Sequence, residues 1–137
     1  MNIVTDTNIL ISALIKNGIT RDFIVKSKNN FIIPEFEVYE IYEHKNEIIK
    51  KSKLSEREFD TIFLRLLRNI KIIPTDLIID KKEEAERIIG HIDKDDVQFI
   101  ATALTFNCSI WSDDKHFKKQ NKVRILTTKK IINLNQK

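Results

Sequence analysis

Apolar and polar positions along this 137-residue chain switch repeatedly between short β-rich runs and three- and four-residue helical spacing. Asn2–Thr5 reads as a first strand that runs into Asp6. Ile9, Leu10, Ala13 and Leu14 then share one face of a helix, with Thr7 or Asn8 as its cap and Gly18 as its end. Residues 20–26 read as a short second helix, and Phe31-Ile32-Ile33 as a strand closed by Pro34. One helix is expected over residues 35–51. The next opens with Ser55-Glu56-Arg57-Glu58, a capping-box pattern. Behind it Phe59, Ile62, Phe63, Leu66, Leu67 and Ile70 recur at helical spacing and mark a broad core-facing stripe. Residues 71–73 read as a strand stopped by Pro74. Residues 82–90 and 95–106 read as helices, 109–112 and 123–126 as strands, and the tail from Thr128 as a last helix. Strands alternating with helices, without a hairpin signal, predict an α/β fold: a parallel sheet with helices on both faces.

Composition narrows this further. Only two glycines and two prolines argue against an all-β fold, which needs many tight turns. The length and apolar content suit one domain over residues 1–137. Cys108 is the only cysteine, so no internal disulfide forms, and a reducing cytoplasmic setting is expected. The apolar run at residues 9–15 is far shorter than the ~20 residues a membrane span needs, so no membrane association is expected. A net charge of +4 permits nucleic-acid binding without demanding it.

The chemistry lies in the acids. Asp6 falls at the carboxyl end of the first strand, where open α/β sheets place their ligands. The same arrangement recurs at Ser112-Asp113-Asp114, after the strand at 109–112. Two strand-end carboxylates in one small α/β chain suggest a metal site. Two helical regions add Glu40 and the cluster at Asp93–Asp96. Each acid also has a plain structural reading. Asp6 can cap the first helix, Asp95 or Asp96 can complement a helix start, Asp114 can cap the turn at 115–117, and Glu40 can share a solvated face with Glu43 and Glu47. At ~100° per residue, Asp96 falls near Ile100 and Ala103, whereas Asp95 falls near Gln98 and Thr102. Asp96 is therefore the acid expected to point inward. Asp113 and Asp114 are not separable in this way. Carboxylates held together repel by about 4 kcal/mol per pair at ~4 Å and an effective ε of ~20. Mg²⁺ or Mn²⁺, which prefer hard oxygen ligands, would remove that repulsion.

These residues resemble the PIN-domain family of metal-dependent nucleases over essentially the whole chain. That family carries an Asp after strand one, often followed by x-Asn, here Asp6-Thr7-Asn8. It carries a Glu on the helix after strand two, several residues past a Pro, here Glu40 after Pro34. It carries an Asp opening an Ala-rich helix, here Asp96 before Ala101 and Ala103, and a Thr/Ser-x-Asp after the fourth strand, here Ser112-Asp113-Asp114. The resemblance implies a three-layer α/β/α sandwich with a parallel sheet of about five strands. It also implies that Asp6, Glu40, Asp96 and Asp114 are the catalytic and metal-binding residues. Many small members are VapC-like toxins paired with an antitoxin; others stand alone. Haloacid-dehalogenase-like phosphatases would need Asp-x-Asp, and the third position here is Asn8. Response-regulator receivers would need an acidic pair near strand one, where Val4-Thr5-Asp6 offers one acid. A non-catalytic PIN-like RNA-binding or protein-interaction module is the alternative, but it predicts a missing acid.

The expected activity is that of a Mg²⁺- or Mn²⁺-dependent endoribonuclease, hydrolysing RNA phosphodiesters with a metal-activated water. Asn8 and Ser112 are expected to orient the ligand carboxylates. Lys115, Lys118 and Lys119 are the best-placed RNA contacts, although a solvated charged surface is the simpler reading of them. His44, His91 and His116 need no catalytic role; His116 follows Asp114 closely enough to touch the site, although an exposed histidine is the simpler reading, and Cys108 reads as a small core residue. The apolar content of residues 35–51 and 55–70 leads to the expectation of a homodimer.

Overall fold

In the computed structural model, which describes residues 1–135, β1 (Asn2–Thr5) sends Ile3 and Val4 to opposite faces of the sheet, and both are fully buried. Both faces are therefore covered, which explains why the strands are apolar at consecutive positions. Strands β1, β2 (Asn30–Pro34), β3 (Ile70–Ile73), β4 (Ser109–Trp111) and β5 (Ile125–Leu126) pair in parallel. Their order among the described residues is β3-β2-β1-β4-β5. Helices α1 (Thr7–Ile15), α2 (Ile19–Lys26), α3 (Glu35–Glu43), α4 (Lys45–Ser52), α5 (Glu56–Leu67) and α9 (Thr128–Asn135) pack on the face carrying Ile3, Phe31, Ile33 and Trp111. Helices α6 (Thr75–Ile78), α7 (Lys82–Ala85) and α8 (Val97–Phe106) cover the face carrying Val4, Ile32, Ile73 and Ile110. The result is the expected three-layer α/β/α sandwich.

Local chemistry accounts for the elements. The capping box of α5 forms in both directions. The Glu58 amide donates to Ser55 Oγ at 3.1 Å, and the Ser55 amide donates to Glu58 Oε1 at 3.0 Å. Phe59, Phe63 and Leu66 are buried along the expected stripe. Trp111 lies under the first face, with Phe23 edge-on to both Trp111 and Phe31 at centroid distances of 5.5 and 5.7 Å. Its indole Nε1 donates to Thr128 Oγ1 at 3.0 Å and ties β4 to α9.

The structure departs from the sequence reading in several places. The helix expected over residues 35–51 breaks at His44 (φ −93°, ψ 15°) into α3 and α4. The break lets Ile41 and Ile48 reach the same core from two helix axes. It also lets Lys45 reach Glu56 at 3.1 Å and Asp60 at 2.8 Å on α5. Helix α1 ends at Ile15, before Gly18, which instead precedes α2. Of the caps read for α1, Asp6 takes the position and Thr7 and Asn8 do not. The stretch expected as one helix over 82–90 continues past α7 as a π turn at Glu86–Gly90. The expected strand at 123–126 pairs only at Ile125–Leu126. No helix among the described residues is long and apolar enough to cross a membrane.

The two sides of α5 differ sharply in burial. Phe59→Ala is expected to destabilise the fold by about 3–5 kcal/mol, as is usual for a fully buried Phe. Leu64→Ala, on the exposed side of the same helix, should change stability by less than about 0.5 kcal/mol. Urea denaturation of the two variants checks this, and similar losses in both would contradict the assigned helix face.

Candidate metal centre

In this sheet β1 is flanked by β2 on one side and by β4 on the other, so the chain order reverses between β1 and β4. The carboxyl ends of two such strands frame the crevice where open α/β sheets bind ligands. The Asp6 amide donates to the Trp111 carbonyl at 3.2 Å, extending the ladder one residue past β1. This sets Asp6 beside Ser112, which follows β4. Asp6 Oδ1 accepts from the Ile9 amide at 2.8 Å, and Asp6 Oδ2 accepts a short hydrogen bond from Ser112 Oγ. The same Ser112 hydroxyl accepts from the Asp114 amide at 3.0 Å. Asp114 Oδ1 in turn accepts from the His116 amide at 2.9 Å, capping the 3₁₀ turn at Lys115–Lys119.

The helix-borne acids close the pocket. Glu37 and Glu40 stand one turn apart on α3. Glu37 is buried and accepts from Thr7 Oγ1 at 2.6 Å, which joins α3 to the start of α1. Asp93 and Asp96 bracket a 3₁₀ turn at Lys94–Asp96 that precedes α8. Asp93 Oδ1 accepts from the Asp95 amide at 2.9 Å, and Asp93 Oδ2 lies 3.0 Å from His116 Nδ1. Asp96 is buried, and its Oδ2 has no hydrogen-bond partner among the described residues. Asp6, Thr7, Asn8, Glu37, Glu40, Asp93, Asp95, Asp96, Phe99 and Asp114 line a single pocket of ≈ 230 Å³. Three larger hollows, of ≈ 400, ≈ 510 and ≈ 570 Å³, hold at most one carboxylate each, so chemistry rather than size distinguishes this one.

Burial and mutual repulsion raise the proton affinity of the inner acids. Burial pushes the Asp6 carboxyl from 3.8 up to about 6, against the hydrogen bonds from Ser112 and Ile9. Burial, with Asp93, Asp114 and Asp6 adding, takes Asp96 from 3.8 to about 7. Glu37 rises from 4.5 to about 8, chiefly through burial, opposed by Thr7 and assisted by Glu40 and Asp95. A buried carboxylate oxygen with no partner, among acids that repel one another and with no lysine or arginine lining the pocket among the described residues, is a donor set that fits a hard divalent cation.

The structure brings Asp6, Glu40, Asp96 and Asp114 to this one pocket. It separates the pair that sequence left open. Asp113 turns away to α9, accepting from the Thr128 amide at 2.8 Å and from Thr128 Oγ1 at 2.6 Å. Asp96 is inward and Asp95 exposed, but not because α8 has a wet side. Thr102, placed by the helical wheel with Asp95, is fully buried and donates to the Gln98 carbonyl at 2.7 Å. Asp93, within the acidic cluster read at Asp93–Asp96, lines the pocket beside Asp96, and so does Glu37, for which the i,i+3 spacing of Glu37 and Glu40 after Pro34 was the available signal. The pairing of His116 with Asp93 spans 23 residues and had no local signature. Glu43 is exposed and lies outside the pocket. Ser112 bonds to Asp6, whereas Asn8 lines the pocket without a side-chain hydrogen bond to the acids among the described residues. Lys115, Lys118 and Lys119 are exposed and do not line the pocket; Lys119 borders a separate hollow with Glu84 and Arg87.

The raised carboxyls link stability to pH. Each holds its proton more tightly in the folded chain than in the unfolded one. Their contribution is therefore neutral below about pH 4 and increasingly destabilising as pH rises through about 6 to 8. Calorimetry of metal-free protein should show this loss between about pH 5 and 8. Added Mg²⁺ or Mn²⁺ should restore stability most at pH 8 and least at pH 5, because cation and protons compete for the same oxygens. A melting temperature at pH 8 that ignores both cations would contradict the cation fit.

The fold is similar to a chain in the crystal structure of VapBC2 from Rickettsia felis bound to a DNA fragment from their promoter. The TM-score is 0.69 at 14% identity, covering 93% of this chain and 98% of that one. No curated protein matches the sequence. The profile of the PIN domain matches residues 4–134. That span contains both strand-end acids and every helix-borne acid of the pocket, and the chain belongs to the PIN-domain family.

Proposed function

We propose that this chain is a Mg²⁺- or Mn²⁺-dependent endoribonuclease that hydrolyses RNA phosphodiesters, with residues 1–137 forming one catalytic domain. The observation that carries this reading is the unpartnered buried oxygen of Asp96, in a pocket that joins it to Asp6, Glu40 and Asp114. A phosphodiester approaching these acids alone would be repelled. When bound, a divalent cation supplies charge neutralisation and water activation.

The chain's own residues supply position. The hydroxyl of Ser112 donates to Asp6 and accepts from the Asp114 amide, so one side chain sets two strand-end acids relative to each other. Thr7 holds Glu37 beside Glu40. Lys115, Lys118 and Lys119, exposed on the turn after Asp114, are the proposed contacts to the RNA backbone. RNA as the substrate rests on the family resemblance rather than on any pocket residue. A non-catalytic RNA-binding or protein-interaction module is the weaker alternative, because the four acids of the family pattern are all present.

A second element of the proposal concerns partners. The resemblance to VapC-like family members, with a fold shared with a VapBC2 chain, favours a toxin that pairs with an antitoxin, and the lone Cys108 favours a cytoplasmic setting. Phe36, Tyr39 and Tyr42, exposed at three-residue spacing on α3, offer apolar area for that partner or for a second copy in a homodimer. Light scattering at tens of micromolar reads the oligomeric state, and a monomer there would remove the homodimer.

Asp6→Asn should abolish RNA cleavage yet keep the fold, since Asn is as good a helix cap as Asp. Ser112→Ala should lower activity by roughly 10–100-fold, the usual effect of removing a group that orients a ligand. Cleavage by purified Asp6→Asn protein at the wild-type rate would sink the assignment. The products should carry a 5′-phosphate and a 3′-hydroxyl, and EDTA should stop the reaction. Mass spectrometry of the ends decides this: a 2′,3′-cyclic phosphate formed in EDTA points to attack by the neighbouring 2′-hydroxyl and excludes the proposed chemistry.

A further inference from the structure

The acids of the family pattern account for only part of this pocket's rim. Asp93 and His116 belong to none of the four family motifs, yet Asp93 lines the pocket and His116 pairs with it. His116 Nδ1 lies 3.0 Å from Asp93 Oδ2 and 3.6 Å from Asp114 Oδ1. One ligand atom each from Asp93, Asp96 and His116 falls within 4.8 Å of the others. Ligand atoms bound at ~2.1 Å to a small dication lie roughly 3.0–4.2 Å apart, so small side-chain adjustments would bring these three onto one ion. We propose that Asp93, Asp96 and His116 form a cation subsite with a nitrogen ligand, which selects a transition-metal dication over Mg²⁺. The inference rests on reading the pocket as a cation site and adds to it the identity of the ligands and of the ion.

Two observations support it independently of the cluster's charge. The first is the buried Oδ2 of Asp96, which no group of the described residues satisfies. A buried acceptor left without a partner costs about 1–3 kcal/mol, more when charged, and a bound ion removes that cost. The second is the anchoring of the other two residues. Asp93 Oδ1 is held by the Asp95 amide at 2.9 Å, which leaves Oδ2 directed at His116. The backbone of His116 is held by Asp114 Oδ1, also at 2.9 Å. The Asp93 carboxylate and the His116 backbone are thus held by local bonds, and the half-exposed imidazole reaches Asp93 from that anchored backbone. A simple exposed ion pair between Asp93 and His116 is the competing account, and such pairs contribute little.

The ligand chemistry separates the two accounts. All-oxygen sites suit Mg²⁺ and Mn²⁺ alike, whereas imidazole nitrogen favours the later transition metals and gives Mg²⁺ little. Protein without an affinity tag is titrated calorimetrically with Mg²⁺, Mn²⁺ and Co²⁺, and the Mn²⁺ form is examined by pulsed EPR. Wild type should bind Co²⁺ roughly tenfold or more tighter than Mg²⁺. It should also show the ¹⁴N coupling of a directly bound imidazole. His116→Gln and His116→Ala should lose the coupling and narrow the Co²⁺/Mg²⁺ gap to within about threefold, with Mg²⁺ affinity little changed. His116 is exposed, so both variants should melt like wild type. Mn²⁺ bound without ¹⁴N coupling, coupling that survives both substitutions, or an unchanged Co²⁺/Mg²⁺ gap overturns the nitrogen ligand and leaves the acidic site standing. Wild-type protein that binds none of the three cations overturns the cation reading of the whole pocket, and this inference falls with it.

Discussion

The pairing of β1 with β4 places the carboxyl ends of two parallel strands side by side, and the bond between Asp6 and Ser112 forms across that junction. Every other part of the pocket is referred to it. Asp6 fixes the start of α1 through the Ile9 amide, and Thr7 on that first turn holds Glu37 of α3. Ser112 fixes the turn that carries Asp114 and His116. The bond also explains why the ladder must run one residue past β1. Without the Asp6 amide bonded to Trp111, the carboxylate would not face the residue that follows β4.

Capping a local turn and lining the pocket are not rival roles for these acids. Asp6, Asp93 and Asp114 each give one oxygen, Oδ1, to a nearby backbone amide. That bond sets the carboxylate plane. The other oxygen is then aimed elsewhere: at Ser112 from Asp6 and at His116 from Asp93. Local capping thus orients the acids without the long, flexible reach that a free surface carboxylate would have. It is a low-entropy way to hold several like charges in register.

Holding them carries a cost that the rest of the fold must offset. Three carboxyls are raised well above their ordinary range, chiefly by burial. Beneath them lie two apolar layers anchored by Phe31, Phe59 and Trp111 on one face and by Phe99, Ile100 and Phe117 on the other. Stability drawn from the layers and strain concentrated at one strand edge is the usual division in a protein whose site departs from local rules.

Much of this was legible in the residues themselves. Apolar periodicity reports which side of an element faces a core. The alternation of strands and helices, the stripe on α5, its capping box and the acids after β1 and β4 could therefore be read without coordinates. Periodicity says nothing about which distant group a polar side chain will meet. Asp113 and Asp114 are adjacent in sequence, yet one caps α9 and the other lines the pocket, because the chain turns between them. Glu37 and Glu40 look like a solvated face until Thr7 and the end of β1 are brought against them. The break at His44 carries no glycine or proline to announce it; it exists because Ile41 and Ile48 must reach one core while Lys45 reaches Glu56 and Asp60. The sequence by itself determined the layers and the strand-end acids, because those follow from local burial. Only the tertiary structure decided the partners of each carboxylate, because these depend on contacts between segments as far as 106 residues apart.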